Sequence, residues 1–457
     1  VGDVLKVDIL TAEIGSTTTV VSLFDGIGTS KPRLIAQGEH FTTVSQGDVG
    51  IGIQRAVDYI NKKLNKKVSW DKFIATSSAA GGLKMSVHGL VYEMTVKAAK
   101  EAALGAGGII KSVTSGKISS NDIERVKKIN PNIVLIAGGV DYGEKETVLH
   151  NSRLFSESDI DIPFVYAGNC SVRDEIKDIF ESKGKKIRLT DNVYPRVDEL
   201  NISPLRLLIQ EIFSEHIINA KGMHEISEKV FLPIIPTPAA VMDTTQLLSD
   251  IFGDVLTVDI GGATTDIDSY TEGTPEIMEI SVSPEPLSKR TVEGDLGVFV
   301  NARNVVSSMG QEIEMSFPDY DILLNQLTPY PENDRLEKFG IELAKFCLVD
   351  GLRRHAGRIR TLYGPMGRYK IAEGKDLTSI KYIFGTGGIL SRSKYAFEVL
   401  NCSKNLSRIH INELLPKPDV KLMRDKNYIF APIGLISKLD KDSAIKLLKD
   451  NIEEYGI

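Results

Sequence analysis

A seven-residue segment occurs twice in this chain, and no other feature narrows its fold as much. Glu13-Ile14-Gly15-Ser16-Thr17-Thr18-Thr19 returns as Asp259-Ile260-Gly261-Gly262-Ala263-Thr264-Thr265, at an offset of 246 residues in a chain of 457. The isoleucine, the first glycine and the last two threonines are identical. Each copy joins two strand patterns, Val4 to Glu13 and Thr18 to Phe24 in one, the apolar run from Val255 and the alternating run to Tyr270 in the other. An offset of half the chain is that of a duplicated domain, because solenoid repeats recur every ~20 to 50 residues. At ~100 to 200 residues per domain the length allows two or three.

Strand and helix signals alternate along most of the chain. Arg33 to Phe41 follows the first hairpin, helical spacing covers Val49 to Leu64, and a β-branched run at Lys72 to Ser78 leads into the small-residue turn Ser77 to Gly82. From Gly105 to Pro195 the spacing predicts a three-strand wound segment. Its helices are Asn121 to Lys128, Glu144 to Ser156 and Val172 to Ser182, followed by strands Ile133 to Ala137, Phe164 to Ala167 and Ile187 to Thr190. Gly138-Gly139 and Gly168-Asn169 end two of these strands, where wound sheets bind ligands; the turns serve equally well as plain structure. The alternation indicates an α/β fold with substantially parallel sheets.

Composition removes other classes. Apolar residues are 42% and charged residues 25%, within the globular range, so disordered, fibrous and coiled-coil chains are excluded. The net charge of −6, without a basic block, argues against a nucleic-acid partner. Cys170, Cys347 and Cys402 fit neither a disulfide framework nor a clustered metal site. No apolar stretch reaches the ~18 residues of a membrane span, and Val1 to Leu10 has no signal-peptide character. A cytoplasmic protein without a membrane partner is expected.

A tight hairpin of Gly, Ser and Thr presents backbone N–H groups and hydroxyls to an anion, because glycine permits close approach. Phosphate oxygens suit it. The carboxylate ending the preceding strand, Glu13 or Asp259, is placed to hold the waters of a magnesium ion beside that phosphate. Two such hairpins face to face form a phosphate clamp. A single copy, Gly15 to Thr19, reads as readily as a structural turn; the second copy is what favours the clamp. A third segment, Gly385-Thr386-Gly387-Gly388, joins strand Tyr382 to Phe384 to a helix expected over Ser391 to Leu400 and offers amides to a phosphate or ribose. It lacks the G-x-G-x-x-G form, and no G-x-x-x-x-G-K-[ST] loop occurs.

The order hairpin, hairpin, Gly-rich turn resembles the actin, heat-shock-ATPase and sugar-kinase superfamily. Pro236 to Met242 and Ala431 to Ile436 resemble its two connecting helices. Ser77-Ser78-Ala79-Ala80-Gly81-Gly82-Leu83, Ala137 to Asp141, Ala167-Gly168-Asn169, Asp191-Asn192-Val193-Tyr194-Pro195, Glu293-Gly294-Asp295-Leu296-Gly297 and Arg354-His355-Ala356-Gly357 resemble the MutL/GlmL family associated with glutamate mutase. The likeness runs through nearly the whole chain. It implies a two-lobed actin-like (ribonuclease H-like) fold with duplicated lobes and an inserted wound segment. Lobe I spans 1–250 and includes the insert 105–195, lobe II spans 251–430, and 431–457 is a C-terminal helix returning to lobe I.

The resemblance further implies ATP and Mg2+ as ligands and a B12 mutase as protein partner. The function it implies is an ATP-dependent reactivating factor for an adenosylcobalamin-dependent amino-acid mutase, such as glutamate mutase or an ornithine or lysine aminomutase. The catalytic candidates are Glu13, Asp259 and Asp266, with Glu13 and Asp259 serving the metal. The nucleotide candidates are Gly15, Ser16, Thr17 and Thr18, then Gly261, Gly262, Ala263, Thr264 and Thr265, then Gly385, Thr386, Gly387 and Gly388. The chain departs from the superfamily in having glutamate at 13, where aspartate is usual, and Pro236 where many heat-shock ATPases carry an acid. A homo-oligomer is compatible with all of this.

Three rivals share parts of the pattern. A small-molecule kinase uses the same clamp for phosphoryl transfer, an actin-type assembly protein would polymerise with ATP, and a cluster-bearing dehydratase activator needs cysteines at another spacing. Arg353, Arg354, His355, Arg358 and Arg360 fall near the end of a helix expected over Arg335 to Leu362, where they cap the helix dipole or meet nucleotide. His88 and His224 read as packed or solvated side chains rather than ligands.

Overall fold

The structure, a computed structural model, describes residues 4–43, 47–78, 83–218, 222–365 and 367–456. The turn Ala79-Ala80-Gly81-Gly82 lies outside them. The chain divides into one unit of Val1–Ala80, His216–Ser281 and Arg290–Ile457, and another of Gly81–Glu215 and Val282–Lys289.

In the first unit, β1 (Val4–Ile14), β2 (Thr18–Asp25) and β3 (Arg33–Phe41) form an antiparallel meander, and β4 (Lys67–Ser77) joins parallel to β1. The buried run of Leu10 to Ile14 reflects the central place of β1, which has strands on both sides. The chain then builds the second unit, where β5 (Leu83–Gly89), β6 (Gly108–Ser115), β7 (Ile133–Ile136), β8 (Phe164–Tyr166) and β9 (Ile187–Leu189) make a sheet ordered β6-β5-β7-β8-β9. All its pairings are parallel, as wound units require. Helices Ser120–Ile129, Glu146–Glu157 and Arg173–Glu181 are its crossovers, and their apolar faces share a core with β7 and β8.

On returning, the chain adds β10 (Ile235–Pro236) parallel to β4, giving the order β10-β4-β1-β2-β3. A second sheet follows, from β11 (Val255–Ile260), β12 (Thr265–Tyr270) and β13 (Ser288–Glu293). After a ribbon of β14 (Arg358–Gly364) and β15 (Gly367–Glu373), it is completed by β16 (Tyr382–Thr386), β17 (Lys421–Asp425) and β18 (Ile452–Glu454), in the order β13-β12-β11-β16-β17-β18. Counted by entry, the first five strands of both sheets read 3-2-1-4-5, the second strand antiparallel to the first and the fourth parallel to it, and the second sheet adds β18 as a sixth at its edge. The duplicated hairpins are the first connections of two copies of one ribonuclease H-like lobe, which is the actin-like fold.

Helices Thr237–Phe252 and Phe430–Ser437 cross where the sheets meet, in a core that takes Ile9 and Ile74 from one sheet and Val255, Phe384 and Met423 from the other. Gly434 makes the crossing close, since a Cβ there would stand 2.0 Å from the Ala240 carbonyl oxygen. Among the described residues no helix is long and apolar enough to cross a membrane.

Three elements differ from the sequence expectation. The wound segment has five strands, not three: β5 and β6 carry Ser86, His88, Ser112 and Thr114, whose polarity on a packed sheet face masks the strand pattern. The helix expected over Arg335 to Leu362 is Asp334–His355. Gly357 ends it by lying against the backbone of Glu373 to Lys375, and Ile359, Thr361 and Tyr363 then alternate as a strand. The helix expected over Ser391 to Leu400 is broken into Gly388–Arg392 and Ala396–Asn401. Ser393 sits at the break, donating to Glu337 (2.6 Å) and accepting from the Tyr395 N–H (3.1 Å).

Candidate functional site

The hairpins are built alike. In each, the glycine N–H donates to a threonine carbonyl three residues on, Gly15 to Thr18 and Gly261 to Thr264, both at 2.9 Å. A Cβ on Gly15 would lie 2.6 Å from the Thr18 oxygen, so the turn demands glycine. Both face a cavity of about 400 Å³ lined by Thr17, Thr18, Gly261, Gly262, Gly388 and Tyr330 among others. The third segment converges on the second, because Gly387, at φ +91°, crosses Ile260 and Asp259 so closely that a Cβ would stand 2.4 Å from the Ile260 oxygen.

Not every candidate reaches the cavity. Thr265 is buried and donates to the Leu296 carbonyl (3.0 Å). Thr386 is buried and donates to Asp425 (2.8 Å), while Gly385 packs against Leu390 and Leu400. Ser16 is exposed at the hairpin tip.

Acids gather behind the hairpins. Asp259 is held well above the usual carboxylate range, first by its low-dielectric surroundings and then by Asp266, Glu13, Asp268 and Asp425. Burial pushes Glu13 from 4.5 to about 7, opposed by the hydroxyl of Tyr428, which donates to its Oε1 at 2.7 Å. Asp266 faces Asp259 across β11 and β12 and is held by Arg290, whose Nη2 reaches its Oδ1 at 2.5 Å; its other oxygen accepts from Thr264 (3.2 Å). Asp425 accepts from the Ile429 and Phe430 N–H groups (2.9 and 3.0 Å) and so fixes the start of the helix at Phe430.

Among the described residues no three His, Cys, Asp or Glu side chains are arranged to hold a metal by themselves. The donor set fits magnesium nonetheless: Asp259 and Glu13 repel one another as anions, and magnesium commonly takes one or two carboxylates, with waters and phosphate oxygens filling its shell. A raised carboxyl pKa gives stability that is present below the unfolded value and lost as pH rises through the folded one. Glu13→Gln, which keeps an acceptor for Tyr428, is therefore expected to stabilise the protein at pH 8 by up to roughly 3 kcal/mol and to be neutral near pH 4. Urea midpoints at the two pH values check this.

Sequence reasoning missed Arg290, Asp425, Tyr428, Tyr330 and Arg392, which are single residues in no recurring pattern. Arg392 lies between the rings of Tyr330 and Tyr428 (5.7 and 5.4 Å to the centroids) and pairs with Glu39. The family segments, by contrast, acquire positions. Gly297 lies on Gly262 and Ala263 with no room for a Cβ, and Phe299 and Val300 donate to the Gly262 carbonyl (2.9 and 2.7 Å), so the Glu293 to Gly297 turn braces the second hairpin. Arg354 ties that turn to the long helix through Glu293 (2.6 Å) and Asp295 (2.8 and 3.0 Å). His355 bonds Ser269 and Thr291. Arg353 pairs with Glu413, and Arg358 and Arg360 are on β14 beside Glu373, so the latter two are not helix caps. In the second unit, Asp141 accepts from the Cys170 N–H and from Asn192, whose amide also reaches the Gly139 carbonyl; these turns lock one another.

Two lobes of one topology, with their hairpins turned to a common cavity, define an actin-like two-lobed protein. The MutL protein family model matches residues 9–452, and the chain belongs to that family. It is 35% identical over 459 residues to Protein MutL of Clostridium tetanomorphum, covering 96% of this chain and 98% of that one. It is also similar to a nucleotide-free acetone carboxylase (13% identity, 94% of this chain and 70% of that chain, TM-score 0.41). A nucleotide-free diol dehydratase-reactivating factor gives 11% identity, 95% of this chain, 99% of that chain and a TM-score of 0.36.

Proposed function

We propose that this protein is an ATP-dependent reactivating factor for an adenosylcobalamin-dependent amino-acid mutase, glutamate mutase or an ornithine or lysine aminomutase. The observation that carries the nucleotide reading is the pair of equivalent hairpins facing one cavity with Glu13 and Asp259 behind them. The reactivating role follows from family membership and what the resemblance implies. Thr17, Thr18 and Gly262 would meet the phosphates, and Gly388 the nucleoside end. A magnesium ion held by Glu13 and Asp259 through water would neutralise phosphate charge. A γ-phosphate touching both hairpins favours the closed pair of lobes by differential affinity, and its loss releases them. That motion would open the mutase enough for damaged cobalamin to leave.

The test is ATP turnover by the purified protein, alone and with each mutase inactivated by hydroxocobalamin. Recovery of mutase activity that needs both MgATP and free adenosylcobalamin supports the proposal. Phosphorylation of an added sugar or small acid, with no mutase revived, would replace it with the kinase reading.

A further inference from the structure

The β14–β15 ribbon is poorly explained as part of the fold. A two-stranded sheet alone is marginally stable in water. Among the described residues the ribbon is tied in at its root: Ile359 donates to the Asn412 carbonyl and Ala372 to that of Ile280 (2.7 and 2.8 Å). Beyond the root, Thr361 to Gly364 and Gly367 to Lys370 pair only with one another among the described residues. This outer half holds Tyr363 at 81% exposure and Tyr369 at 53%. The ribbon carries Arg358, Arg360, Arg368 and Lys370 against one acid, Glu373, in a protein of net charge −6. Glu373 engages Arg358 and Arg360 at the root, which leaves Arg368 and Lys370 without a carboxylate partner among the described residues.

Exposed tyrosine beside unpaired arginine is the composition of a protein-binding hot spot, since both residue types give large contact area and are enriched where partners dock. The unpaired cations specify the partner's chemistry as an acidic protein surface.

We propose that the outer half of this ribbon, Thr361 to Gly364 with Gly367 to Lys370, docks an acidic face of the mutase that the protein serves. This rests on the reactivating-factor reading above. The salt bridges formed on docking would be screened beyond ~8 Å at physiological ionic strength, so binding should weaken as salt rises.

The experiment measures binding of the full-length protein, with MgATP, to immobilised glutamate mutase and to ornithine and lysine aminomutases, each inactivated with hydroxocobalamin. The variants are Arg368→Glu with Lys370→Glu, and Tyr363→Ser with Tyr369→Ser. ATP turnover, whose residues lie elsewhere, reports that each variant is folded. At least tenfold weaker binding by both variants with turnover intact, and a salt dependence in the wild type that the charge-reversed variant lacks, is the expected result. Equal binding by wild type and variants overturns the ribbon assignment and leaves the reactivating role standing. Binding of no mutase by the wild type overturns both.

Discussion

Asp259→Asn is expected to lose ATP turnover by about 10²–10³-fold, the usual effect of removing one charge-organising group from a reaction centre, and to unfold at a higher temperature than the wild type at pH 8. The two effects share a cause. Asp259 is surrounded by Asp266, Glu13, Asp268 and Asp425 in a low-dielectric region, so its carboxyl group resists ionisation. In the unfolded chain the same group ionises freely, and the fold carries that difference as lost stability at every pH above the ordinary aspartate range. Asparagine removes the charge while keeping the shape. The stability gain should shrink as the pH falls through the ordinary aspartate range and vanish below it, where the carboxyl is neutral in both states. Turnover within tenfold of the wild type would show that the chemistry lies elsewhere, and a lowered midpoint at pH 8 would contradict the burial argument.

Arg290→Leu should act in the opposite sense. Arg290 is 1% exposed, with Asp266 on its Nη2 and Asp268 at 3.9 Å from its Nε. Removing one partner of a buried pair leaves an uncompensated charge and costs about 3–5 kcal/mol. Here two aspartates on β12 would face Asp259 on β11 with that guanidinium gone. Adding Asp266→Asn to Arg290→Leu should recover part of the loss, because it removes the carboxylate that Arg290 holds most closely while Asp268 stays. Urea unfolding of the single and double variants decides it, and equal midpoints for the two would show that Arg290 acts through packing alone.

The duplicated fold was legible because its signal is long-range and chemical: Gly15 occupies a turn that leaves no room for a Cβ, Gly261 occupies the same turn with a tight 3.2 Å approach, and each repeats its flanking strands. The connecting helices were legible for the same reason, as close crossing requires small residues such as Gly434 and Ala240. The second unit's sheet was half hidden, since Ser86, His88, Ser112 and Thr114 make the buried β5 and the partly buried β6 look polar. The ends of helices were misread where one glycine or serine decided them, at Gly357 and Ser393. Within the site, the hairpins and their acids could be named from sequence. Arg290, Tyr428 and Asp425 could not, because each is placed by tertiary packing and a lone residue has no periodicity to betray it.

The salt bridges of Arg354 have a further consequence for how the parts communicate. Arg354 is one residue from the end of its helix, and the chain passes from His355 through Ala356 and Gly357 directly into β14. The same side chain grips Glu293 and Asp295, in the turn that braces the Gly261 to Thr265 hairpin. One guanidinium therefore stands as a pivot between the turn that braces the second hairpin, proposed above to meet phosphate, and the root of the exposed ribbon. A displacement of the loop has a lever arm of a few residues rather than a whole domain, and the opposite hairpin, tied back to Thr42 at the end of its own sheet, has no such arm.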